Sequence, residues 1–288
     1  TNECDFTNID KVPSLNVNIN KWIYSELIEA KNNIERNLKD YRFDEAAKNA
    51  YQFAWHSYCD WYLELSKTIL FSDNEEAKVE VKKVSSYVFK QILILLHPFI
   101  PFVTEEIWLK NKFDKSGKNF LMLANWPTGK INKDSNTEQV EKIINIISEI
   151  RSFKNELNVS PGSFIDISIN SINNDQKKFI NNNEIILKKL GRIKNILNED
   201  SKKSAATMMV SGDLFKVYFD KDVDLKLIKE NLTNKQNSIQ DEMSKISQRL
   251  ENKSFVDRAP KEIVEQEKTN YNNLKNDIEK ISVIIKGI

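Results

Sequence analysis

From Val223 to Leu250 the sequence contains neither proline nor glycine, and Leu225, Ile228, Leu232, Ile239, Met243, Ile246 and Leu250 recur at steps of three, four and seven. An α-helix brings such positions to one face, and the stripe is too narrow for a helix buried in a globular core. A second run carries Val264, Tyr271, Leu274, Ile278, Ile281 and Ile285, and Asn252, Phe255 and Pro260 between the two allow a reversal. Residues 223–288 are therefore predicted to form an antiparallel coiled-coil hairpin in which each narrow seam covers the other. Helices of this length reach roughly 40 Å. Because a two-helix layer leaves its outer faces wet, such a length does not serve stability and points to a distant contact.

The rest of the chain has a different texture. Residues 1–14, with Pro13, read as a lead-in. Residues 15–115 read as a helical bundle. Its first helix starts at Asn20 and presents Ile23, Leu27, Ala30, Ile34, Leu38 and Tyr41. A second, Asp44 to about Leu70, presents Ala47, Tyr51, Ala54, Tyr58, Trp61 and Leu65, with Ala46, Ala50 and Phe53 widening the stripe. A third, capped by Ser72 or Asp73, runs to Leu96 through Val81, Val84, Val88, Ile92 and Leu95, and Pro98 and Pro101 bend the chain into a short helix holding Ile107 and Trp108. Residues 116–222 read as a small α+β module. It has a strand over Phe120–Ala124, a helix over Glu138–Leu157, a turn at Ser160-Pro161-Gly162 and a strand over Phe164–Ile169. A helix over Gln176–Leu190 and strands over Ile193–Leu197, Thr207–Val210 and Leu214–Phe219 complete it. The fold class expected is mainly α.

Composition narrows the functions such a body can carry. Forty-three basic and 42 acidic residues give a net charge of +1, so a protein held to nucleic acid chiefly by charge is excluded. Any RNA contact must come from shape and selected residues. The six glycines lie far apart, which leaves no phosphate-cradling loop. No apolar run is long enough to span a bilayer. Two cysteines, Cys4 and Cys59, fit a reducing compartment, and the chain, opening on Thr1, reads as a piece of a longer cytoplasmic protein.

His56 and Cys59 are half of a metal-site spacing, but too few ligands complete it, and core positions are the better reading. His97 before Pro98 reads as a cap for helix carbonyls rather than a catalytic base. Met243-Ser244-Lys245 lies within a helix, where it cannot close over ATP. Phe53, Trp55, Tyr58, Trp61 and Tyr62 could stack on unpaired bases, although aromatics at helical spacing usually fill a core.

The segments Phe53–Leu65, containing Asp60-Trp61-Tyr62-Leu63-Glu64, and Leu95–Trp108, containing His97-Pro98-Phe99-Ile100-Pro101-Phe102, resemble the anticodon-binding bundle of class Ia aminoacyl-tRNA synthetases, as does Trp126-Pro127. Glu149–Ser152, Glu156–Gly162 and Phe255–Val264 with its Arg258-Ala259-Pro260 resemble valyl-tRNA synthetases. The likeness covers almost the whole chain. It implies a parent enzyme that activates valine with ATP, transfers it to tRNA(Val) and edits mischarged threonine. It also implies a cytoplasmic monomer with no membrane association. The family's His-Ile-Gly-His and Lys-Met-Ser-Lys-Ser signatures are absent here, so this chain is expected to hold no catalytic residue, metal or cofactor of its own. A first bundle helix that supplies part of the family's anticodon pocket would lie upstream of Thr1.

By the same resemblance Leu63 lines the anticodon pocket, with Lys67 one turn later as a phosphate partner. Packing is the competing reading for Leu63. The arm's contact with the tRNA elbow falls on Lys245 and Asn270. Asn270 stands where the family has a basic residue, so Arg249, Arg258 or Lys268 would supply the second charge. The alternative from another class is a coiled-coil module that binds partner helices and never meets RNA.

Overall fold

The computed structural model describes residues 9, 11–113, 120–131, 135–157, 159–199, 205–210, 213–219, 225–252 and 261–288. It contains two compact units, residues 1–144 and 145–288, and the described residues are mainly α-helical with one four-stranded sheet.

In the first unit α1 (Asn18–Lys39) buries Ile23, Leu27, Ala30 and Ile34 as its spacing predicts. Its N-cap residue, Val17, has no side-chain acceptor for the orphan amides. Glu80, on a remote helix, instead holds the chain entering α1, accepting from Asn16 N, Val17 N and Asn20 Nδ2, each at 2.8 Å. The Tyr62 hydroxyl donates to Asn20 Oδ1 at 2.7 Å, so this fully buried amide joins three helices. Tyr41, expected on the apolar face, lies beyond the helix end at φ 57 and is exposed.

The second predicted helix is continuous but not uniform: α2 (Phe43–Gln52), a π segment (Phe53–Tyr62) and α3 (Leu63–Leu70). The π segment closes where Leu63 N–H donates to Tyr58 C=O, five residues back. Upstream the buried positions are Ala46, Ala50 and Phe53, and downstream they are Tyr58, Trp61, Tyr62 and Leu65. The jump of five from Phe53 to Tyr58 is the wider π turn. It removes Tyr51 from the predicted stripe, and Tyr51 and Trp55 face solvent. His56 and Cys59, expected in the core, are exposed for the same reason.

α4 (Glu75–Leu96) buries Val81, Val84, Val88, Ile92 and Leu95, and its cap is Asn74 rather than Ser72 or Asp73, with Asn74 Oδ1 accepting from Ala77 N at 3.0 Å. α5 (Pro101–Lys110) follows. His97 caps no helix carbonyl through its ring: its Nδ1 is hydrogen-bonded to Thr104 Oγ1 at 2.8 Å, and that hydroxyl lies 2.9 Å from Ile100 C=O. Phe120–Ala124 forms no strand. Leu121–Leu123 is a 3-10 turn whose Leu121 N–H donates to the Glu105 carboxylate at 3.0 Å. Leu121 sits in a cluster with Leu93, Ile94, Trp108 and Phe113, so burial of one side chain, not strand pairing, fixes this segment.

α6 (Ser135–Glu156) carries the boundary between the units. In the second unit β1 (Ile165–Ser168) pairs in parallel with β2 (Ile193–Leu197) and antiparallel with β4 (Asp213–Phe219), and β4 pairs with β3 (Ala205–Val210), giving the order β2-β1-β4-β3. The single helix expected over Gln176–Leu190 is two, α7 (Asn174–Asn182) and α8 (Glu184–Gly191). They break at Asn183, whose side chain donates to Phe179 C=O at 2.8 Å after a run of three poor helix formers, Asn181–Asn183.

The arm consists of α9 (Leu225–Glu251) and α10 (Lys261–Gly287), and the reversal at 253–260 lies outside the described residues. Ile228, Leu232, Met243 and Ile246 are buried opposite Val264, Ile281 and Ile284. Two polar rungs fix the register: Gln236 Nε2 donates to Ser282 Oγ at 2.7 Å, and Arg249 pairs with Glu267 at 3.2 Å. The end of α10 lies on β3, where a Cβ on Gly287 would come within 2.7 Å of Thr207 N.

Candidate nucleic-acid interface

Each unit offers one surface suited to RNA. In the first, the π segment sets its geometry. Its wide turn exposes Tyr51 and Trp55 side by side, with ring centroids 6.3 Å apart and an interplanar angle of 4°. Trp55 is 57% exposed, which leaves a π face open to another ring. Alongside runs a groove of about 530 Å³ whose lining includes Asn33, Asn49, Gln52 and His56, groups that present donors and acceptors, and the carboxylates Glu26 and Glu29, which turn it away from phosphate. Of the five aromatics singled out in the sequence, Phe53, Tyr58, Trp61 and Tyr62 are core and Trp55 is not. Tyr51 could not be found from spacing, because a uniform helix places it inside.

Leu63 is the first residue of α3, half-buried where the π hydrogen-bonding pattern ends. Lys67 is exposed one turn later and is paired with Glu64. A phosphate at Lys67 must therefore compete with a carboxylate already in place. Cys59 is no activated thiol: partial burial, then the Asp60 carboxylate, push its pKa up.

The second surface is the outer face of the arm. Lys245 is exposed and makes no ion pair with a described residue. One turn back from Arg249, it stands level with Tyr271, one turn on from Glu267, and exposed Asn270 lies beside it. Arg249 is held by Glu267 and Lys268 by Glu265 at 2.8 Å, so both carry partners that a ligand would have to displace. Arg258 lies outside the described residues.

At the arm's root Glu156 on α6 is half-buried. Burial pushes its carboxyl up, and Lys235 and Lys280 partly offset this. Deeper in the unit, Lys154 is 1% exposed. Its Nζ donates to Ser163 C=O at 2.8 Å and Gly191 C=O at 3.1 Å, and burial, with help from Arg192 and Arg151, lowers its pKa to about 8. This lysine ties the turn before β1 to the end of α8.

The model of the anticodon-binding domain of tRNA ligases matches residues 20–169. The chain belongs to that family. The model of the valyl tRNA synthetase tRNA binding arm matches residues 224–288, which covers α9 and α10. The valine–tRNA ligase of Pelagibacter ubique (strain HTCC1062) is 74% identical over the whole chain, which covers 33% of that protein. Those of Bartonella quintana (strain Toulouse) and Brucella suis biovar 1 (strain 1330) are 33% and 31% identical over 94% and 92% of the chain, covering 30% and 29% of their own lengths. The chain thus spans about a third of the length of the curated relatives it matches. Among the described residues no helix is long and apolar enough to cross a membrane.

Proposed function

We propose that this chain is the part of a valine–tRNA ligase that grips tRNA(Val), with the bundle at residues 15–115 reading the anticodon loop and the arm at 223–288 touching the elbow. The observation that carries this reading is the succession, in one chain, of an anticodon-binding match and a tRNA-binding-arm match, each on a body with an exposed surface of suitable chemistry. In the bundle, Leu63 contacts a base, Lys67 exchanges Glu64 for a phosphate, and the Tyr51–Trp55 pair offers a stacking face. On the arm Lys245 meets the RNA corner beside Asn270, with Arg249, Lys268 and Arg258 as the further cations. Valine and ATP are handled by parts of the ligase beyond these 288 residues, and the whole enzyme works in the cytoplasm as a monomer.

The test is salt-dependent binding of tRNA(Val) against an unstructured RNA of equal length. The parent chain favours the tRNA, and Lys245→Glu weakens tRNA binding about tenfold, equivalent to about 1.4 kcal/mol, with its melting temperature unchanged. If both Lys245→Glu and a deletion of residues 239–275 bind tRNA as the parent does, the arm makes no RNA contact and the helix-partner reading replaces this one.

A further inference from the structure

Arg192 joins the end of α8 to the edge strand β2. Its φ of 54 lies in the left-handed region that favours glycine, and its C=O accepts from Ile165 N at 3.1 Å, which fixes its backbone against β1. Its guanidinium sits over the ring of Phe164, 5.7 Å from the centroid, and both side chains are exposed. Buried Lys154 sets this pair in place, because its two carbonyl partners, Ser163 and Gly191, directly precede Phe164 and Arg192. Arg151, one turn before Lys154 on α6, is also exposed and donates to Leu190 C=O at 3.4 Å. Two arginines and a lysine thus converge on the end of α8. The arginines act on Lys154 with like charge, and no described carboxylate opposes them there. Packing accounts for Lys154. It does not account for an arginine at a site where glycine is unstrained, whose charge meets no carboxylate among the described residues.

We propose that this cationic corner of the small module, led by Arg192, is a third tRNA contact, which holds a backbone phosphate between the anticodon loop and the elbow. The inference rests on the reading of the chain as the part of a valine–tRNA ligase that grips tRNA(Val). A guanidinium seated over a ring keeps N–H donors for a bidentate bond to phosphate. Residues 116–222 hold 16 basic and 13 acidic residues, so the positive surplus of the chain is concentrated between the bundle and the arm. An acidic peptide would match the charge as well, but it would have to arrive from free solution. A tRNA already held by the bundle and the arm presents its phosphates at high effective concentration, so one modest contact suffices to engage them. Such a contact positions the RNA and reads no base.

Binding of tRNA(Val) to the whole ligase, measured across a salt series with Arg192→Gly and Arg192→Lys, tests this. Glycine removes the charge and relaxes the backbone, so the melting temperature should not fall while affinity drops about three- to tenfold. The slope of log affinity against log salt should shrink by about 0.7–0.9, the share of one phosphate, and Arg192→Lys should restore it. Parent affinity and slope in Arg192→Gly overturn the proposal. A loss of affinity at unchanged slope overturns it in favour of packing on Phe164. Unchanged tRNA binding with loss of polyglutamate binding overturns it in favour of an acidic protein segment. A parent ligase that does not prefer tRNA(Val) to an unstructured RNA refutes the RNA-binding reading and this site with it, whereas an unaffected Arg192→Gly in a ligase that keeps that preference refutes this site alone.

Discussion

Replacing Lys154 by methionine removes a buried cation that is bonded to the turn before β1 and to the end of α8. The substitution leaves Ser163 C=O and Gly191 C=O without their donor, at about 1–3 kcal/mol for an unsatisfied buried group, and it also removes the cost of burying a charge. At pH 7 these oppose each other, and a net loss of about 1–3 kcal/mol is expected. The pH dependence is the sharper test. The folded-state pKa of about 8 lies below the unfolded value of 10.5, so between them the unfolded chain binds more protons and the parent gains stability as pH rises. From pH 7 to pH 9.5 these two pKa values give a gain of about 2 kcal/mol. A neutral amine keeps two N–H donors for the two carbonyls, so deprotonation does not break the tie. Urea unfolding, followed through exchange protection of the Ile165 and Ile169 amides, which donate to Arg192 and Leu197 C=O, measures the gap between parent and Lys154→Met at both pH values. Groups common to both proteins cancel. A gap that stays constant or narrows towards pH 9.5 refutes the reasoning.

Four further outcomes are expected. Glu80→Ala strips Asn16 N and Val17 N, at the entry to α1, of their acceptor and leaves buried Asn20 short of a partner, lowering the unfolding free energy of the first unit by about 1–3 kcal/mol. Trp55→Ala, at an exposed site, shifts stability by less than about 0.5 kcal/mol yet weakens tRNA(Val) binding; unchanged affinity would remove the Tyr51–Trp55 face from the RNA contact. Leu63→Ala reduces tRNA affinity by more than its loss of stability accounts for, and equal losses in filter binding and urea unfolding would leave Leu63 with packing alone. Gly287→Val drives a side chain into Thr207 and loosens α10 from β3 at about 1–3 kcal/mol, visible as faster amide exchange along β3.

Periodicity alone determined most of the helices, because a face that is buried by a large apolar neighbour must be apolar at 3.6-residue spacing wherever that neighbour is. It placed α1, α4 and α6, located β2 at Ile193–Leu197, and drew the two arm seams on which Ile228, Leu232, Met243, Ile246, Val264 and Ile281 are buried. Contacts from distant parts of the chain decided the rest. The π segment adds a residue to the turn and swings Tyr51, Trp55, His56 and Cys59 outward, which no count at constant pitch can show. Phe120–Ala124 has the composition of a strand but pairs with none of the described strands, and the burial of Leu121 and the Glu105 carboxylate shape it as a turn. Glu80 holds the entry to a helix some sixty residues earlier in sequence, and Lys154 is buried because two separate backbone carbonyls converge on it. Local sequence carries the pitch and polarity of an element. Which of its faces meets solvent, and which polar group completes a remote one, is settled only when the elements pack.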